Sequence, residues 1–126
     1  MVDMHLEVNI IPVSDAERSK QFYQSLGWRL DDDVAPAEGV RLIQFTPPGS
    51  ACSITFGTGI TTTAPGSVQG GLIVSDIDTA RGELVRRGVD PTEVFHGAPF
   101  PRAARAAGPG AYELRIVRLL QRSRRQ

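Results

Sequence analysis

The sequence predicts an α+β protein made of two tandem β-α-β-β-β modules, the second of them incomplete. Three observations carry that prediction. A V-S-D triplet occurs twice, as Val13-Ser14-Asp15 and Val74-Ser75-Asp76, and each copy reaches a glycine fourteen residues after its valine, Gly27 and Gly88. The two copies are offset by 61 residues, a period long enough to hold a whole supersecondary unit. With 126 residues and 40% hydrophobic content the chain has the size of one domain, so the modules are halves of it.

The first strand is read over residues 5–13, a run rich in β-branched side chains that stops at Ser14. Ser14 and Glu17 have the spacing of a capping box, in which each side chain can satisfy the other residue's free backbone N–H. A helix is expected over about residues 15–26, burying Phe22 and Leu26 at i, i+4, with Gly27 as its left-handed stop. Three shorter β-prone stretches follow, at 28–30, 41–46 and 52–57, and Pro47-Pro48-Gly49-Ser50 marks a hairpin between the last two. Asp31-Asp32-Asp33 is read as a solvated hairpin or loop, because three consecutive carboxylates in an extended chain cannot converge on one ion.

Module one therefore spans residues 5–57 and a small-residue, uncharged linker spans 58–68. Partial module two spans 69–96. Its strand covers 70–74, Ser75 is the expected N-cap, and Ile77, Ala80, Leu84 and Val85 form the apolar face of a helix ended by Gly88. A further strand is expected over 92–96. Beyond it the repeat fails. Residues 97–126 form an atypical basic tail with seven arginines and one acid, Glu113, within 100–126, leaving thirteen acidic and seven basic residues in the first 99. Within the tail, 112–120 reads as a strand because Tyr112, Ile116 and Val117 favour one.

One cysteine, Cys52, excludes an internal disulfide framework, and it is read as a small core residue. No apolar run has membrane-spanning length and no leader pattern is present, so a cytoplasmic protein without a membrane partner is expected. The tail lacks aromatic interleaving and follows an acidic body, which argues against nucleic acid as a partner.

The runs I-P-V-S-D-A-E-R-S-K-Q-F-Y-Q-S-L-G-W at 11–28 and I-V-S-D-I-D-T-A-R-G-E-L-V-R-R-G at 73–88 resemble the two module starts of the vicinal oxygen chelate superfamily, which holds glyoxalase I, bleomycin-resistance proteins and extradiol dioxygenases. The resemblance covers residues 5–96. It implies a curved mixed sheet around a cavity between modules, often completed by a dimer partner, but no single reaction.

Metal-dependent members of that superfamily draw a ligand from the first strand of each module, seven residues before the aspartate of V-x-D, and a glutamate from the last strand. Counting back places Val8 and Gln69 at the first kind of position, and Thr55 falls where the module-one glutamate would stand. Valine cannot bind a metal, a neutral hydroxyl is a poor donor, and Gln69 alone makes no site. The cavity candidates are thus Val8, Ile10, Thr55, Gln69 and His96, with no metal. His96 ends a strand near the expected cavity mouth, whereas His5 falls on the opposite face of its strand from the ligand position.

The reading that follows from the resemblance is a glyoxalase or bleomycin-resistance type module that binds a small amphipathic molecule without a cofactor, as a homodimer. Its alternative is a metal-dependent lyase or dioxygenase using Zn, Ni, Mn or Fe, with ligands from a partner chain or lost with the altered C-terminus. That C-terminus has a peculiarity in the genetic code. Codons exist for residues 113–126 that, read one nucleotide later, spell S-Y-A-S-F-A-S-F-S-D-P-D-G, the kind of strand and turn that the superfamily has at this place. The tail is accordingly expected to be an out-of-frame reading of an ordinary ending, begun between residues 98 and 108.

Overall fold

The computed structural model describes residues 1–68, 70–91, 93–94 and 117–121. The elements in chain order are β1 (Val8–Ile10), α1 (Ala16–Ser25), β2 (Arg29–Ala37), β3 (Val40–Thr46), β4 (Ser53–Thr58), β5 (Gly70–Val74), α2 (Ile77–Arg86) and β6 (Val117–Gln121). The result is an α+β architecture with two helices and two sheets among the described residues. A four-stranded mixed sheet has the order β1-β4-β3-β2, and a two-stranded sheet pairs β5 with β6. In the first sheet β1 runs parallel to β4 while the other pairs are antiparallel. The β5–β6 pair is also parallel, so the second module repeats the relation of β1 to β4.

Both helices begin one residue later than the sequence reading places their caps. Asp15, not Ser14, has the extended cap conformation (φ −145°, ψ 103°) and accepts from the Arg18 backbone N–H at 3.0 Å. Asp76, not Ser75, does the same toward Thr79 N–H, also at 3.0 Å. An aspartate serves this position well because its charged oxygen satisfies an orphan amide and also meets the positive end of the helix dipole. The identical shift in both copies preserves the 61-residue offset.

Helix α1 lies over β3 and β4. Its buried residues are Ser19 and Tyr23, an i, i+4 pair three positions before the expected Phe22 and Leu26, which are half-buried against the same core. The Tyr23 ring sits 5.4 Å from Phe56, 5.8 Å from Phe45 and 5.1 Å from Trp28 between ring centroids. Ile11, Ile43 and Ile54 complete this core. Each such side chain contributes about 2 kcal/mol by leaving water.

The acidic run is not a loop. It lies inside β2, where Asp33 faces α1 and takes Lys20 Nζ at 2.7 Å and Arg41 Nη2 at 2.8 Å, while Arg41 also reaches Glu17 at 2.8 Å. Strand propensity disfavours three aspartates, but these ion pairs tie β2 and β3 to the helix and override it. The first strand is shorter than expected, because only Val8–Ile10 find a partner in β4. Strand β4 runs on to Thr58, one residue into the expected linker. Cys52 is half-buried, with Asn9 Nδ2 3.4 Å from its sulfur, so it lies outside the core.

In α2, Ile77, Ala80 and Leu84 are half-buried, while Val85 stays exposed. The two modules meet where their helices end. The C-caps Leu26 and Arg87 hold equivalent positions of the repeat, and the Arg87 guanidinium donates to the Ser25 carbonyl at 3.3 Å. Gly27, at φ 78°, follows directly, and a Cβ there would come within 3.1 Å of Arg87 Nη1. Of the expected 92–96 strand, Glu93 and Val94 belong to no strand, while Thr92 and 95–96 lie outside the described residues. Of the 112–120 strand, the part from Val117 is β6 and 112–116 is likewise outside. No helix among the described residues is long and apolar enough to cross a membrane.

Candidate ligand-binding face

The pairing of module one sorts its side chains into two faces. Residues paired across a ladder share a face, so Phe45, Ile54, Ile43 and Phe56 look toward α1, and the alternate positions look away from it. On that second face the register draws three rows across the sheet. One runs Ile10, Thr55, Gln44, Asp32. The next runs Val8, Ser53, Thr46, Arg29, with Ser53 and Thr46 joined through their hydroxyls at 2.6 Å. The third runs Gly57, Leu42, Val34.

Three of the sequence-derived candidates therefore come together. Val8 and Ile10 are 39% and 49% exposed, while Thr55, in the middle of the sheet, is 6% exposed. Gln69 and His96 lie outside the described residues. Val34, 45% exposed, extends the apolar area on the far side of the sheet. Asp31, Asp32, Leu42, Gln44, Thr46 and Ser53 were not foreseen as members of this face. Alternation along β3 and β4 could have flagged four of them, but β2 contains a register shift between Leu30 and Asp32 that breaks its alternation at Asp31.

That shift lets Asp31 join the polar centre. Its carboxylate accepts from Thr46 Oγ1 and from Arg29 Nε at 2.6 Å. The Thr46 hydroxyl first, and Arg29 second, hold the Asp31 carboxyl below the usual carboxylate range. A shallow open depression of about 540 Å³ adjoins the face at Arg29 and Thr46, and continues along Gly27 and the turn at 47–51. A smaller one, about 210 Å³, lies by the start of α1 and the segment after β4. Neither is lined by Val8, Ile10 or Thr55.

The family model described as bleomycin resistance protein-like N-terminal matches residues 4–35, which cover β1, α1 and most of β2. TnmS3, an antibiotic binding protein from Streptomyces sp. CB03234, is 28% identical, with 98% of this chain and 99% of that one covered and a TM-score of 0.71. A glyoxalase/bleomycin resistance protein from the same Streptomyces is 32% identical, covering 67% of this chain and 75% of that one, with a TM-score of 0.56. The chain belongs to the glyoxalase/bleomycin-resistance group of the vicinal oxygen chelate superfamily.

A further member of the glyoxalase/bleomycin resistance protein/dioxygenase superfamily, from Sphaerobacter thermophilus DSM 20745, is 26% identical over 77% of this chain and 82% of that one, with a TM-score of 0.58. No protein of curated function matches the sequence. Within the glyoxalase/bleomycin-resistance group the metal question turns on donors. Val8 is aliphatic and Thr55 offers a neutral hydroxyl, and among the described residues no three His, Cys, Asp or Glu side chains converge. The module-one positions do not fit a divalent ion.

Proposed function

We propose that this glyoxalase/bleomycin-resistance type protein binds a small amphipathic molecule, without a metal, on the sheet face that looks away from α1. The observation that carries the reading is the composition of that face: exposed Val8, Ile10 and Val34 flank the neutral polar groups of Thr55, Gln44, Thr46 and Ser53. Such a surface offers apolar area for a ligand body and a few fixed polar groups for its orientation. The antibiotic binding function of TnmS3, similar over nearly the whole chain, supports a natural product of antibiotic type as the ligand class. A cytoplasmic homodimer completes the proposal.

Titration with Nile red, a neutral amphipathic dye, tests it. Saturable fluorescence enhancement is expected for the natural protein and its loss for Ile10→Arg, with EDTA-treated protein binding as well as untreated. Dye binding that survives Ile10→Arg, or stoichiometric Zn, Ni, Mn or Fe in the purified protein, would overturn the reading.

A further inference from the structure

We infer that the ligand of this face is an organic cation, an apolar body bearing a protonated amine, and that Asp32 selects it. The inference rests on the binding reading above and follows from the direction of each hydrogen bond in the polar centre. An ionised carboxylate can only accept. Because Asp31 takes the hydrogen of Thr46 Oγ1, the 2.6 Å contact between Thr46 and Ser53 must be donated by Ser53. Both hydroxyl hydrogens are then committed.

What Ser53 and Asp32 still offer is lone pairs. Asp32 ends the central row, opposite Gln44, and is exposed. Its neighbours are each held by cations, Asp31 by Arg29 and Asp33 by Lys20 and Arg41, whereas Asp32 has no ion pair among the described residues. Arg29, at the corner of the face, already has its charge answered by Asp31. The set Arg29, Asp31 and Asp32 therefore carries one unanswered negative charge beside Leu42 and Val34, at the end of the row opposite Ile10. A ligand that brings N–H or O–H donors and a positive charge satisfies these groups, while a carboxylate or phosphate sets acceptor against acceptor.

Three probes with one scaffold test the inference by calorimetric titration: 1-naphthylmethylammonium, 1-naphthylmethanol and 1-naphthoate. The ammonium is expected to bind about tenfold more tightly than the alcohol, as one charge-assisted hydrogen bond provides, with naphthoate weakest. Asp32→Asn should bring the ammonium down to the level of the alcohol and leave the alcohol unchanged, and added salt should narrow the preference. Naphthoate binding as tightly as the ammonium, or a preference that persists in Asp32→Asn, overturns the inference while leaving the binding face standing. Alcohol affinity that survives Ile10→Arg removes the face itself from the account, and the inference with it.

Discussion

Asp33 is the residue on which helix, hairpin and charge converge. The Arg41 guanidinium first, and the Lys20 ammonium second, hold its carboxyl well below the usual carboxylate range. Because the folded value is depressed, the stability Asp33 provides is complete above the unfolded value, near pH ~4, and drains away as pH falls toward the folded one. At neutral pH the Asp33→Asn variant is expected to lose about 1 kcal/mol, discounted for a carboxylate that is partly in water. Below pH ~4 the gap between variant and natural protein should narrow. Asp31 is also depressed and remains in the variant, so some acid sensitivity stays. Urea titrations at a series of pH values measure this, and a constant gap across the acid range would contradict the role given to Asp33.

The β3–β4 hairpin shows at the scale of elements how closely two strands depend on one small residue. Gly57 pairs with Leu42, and a Cβ on it would stand 1.8 Å from the Arg41 carbonyl oxygen, which is backbone and cannot rotate aside. Gly57→Ala is expected to cost about 3 kcal/mol by forcing the ladder apart, seen as a lowered midpoint in thermal unfolding by circular dichroism. A midpoint matching that of the natural protein would show that the strands tolerate the methyl. The hairpin itself was legible in the sequence, because Pro47-Pro48-Gly49-Ser50 interrupts two β-prone runs; the turn closes through Ser50 N–H on the Pro47 carbonyl at 3.1 Å. The helices and their 61-residue repetition were legible for the same reason, being marked by local signals. Strand β2 was not, since its aspartates find their partners in Lys20, Arg41 and Thr46, far along the chain. Counting from the repeat reached Val8 and the superfamily resemblance reached Thr55, yet Asp32 depends on a register that the irregularity at Asp31 sets.

Across the whole molecule, the described part of the second sheet has two strands, and the side of β5 away from β6 pairs with nothing among the described residues. Ile73 on β5 is 62% exposed and Val85 on α2 is 49% exposed. An open strand edge beside apolar side chains invites a second copy. A dimer is expected in light scattering at micromolar concentration, and a monomer there would count against it. The contact between Arg87 and Ser25 has another kind of consequence, which concerns descent. Helix α1 has no basic residue in its last turn, and its closing cation comes from the other half of the chain. At the equivalent place in the first half stands Leu26, which has no cation to return. Two halves that began as copies have ceased to be interchangeable: joining the first half to a duplicate of itself would put leucine where arginine stands, and leave the Ser25 carbonyl to water.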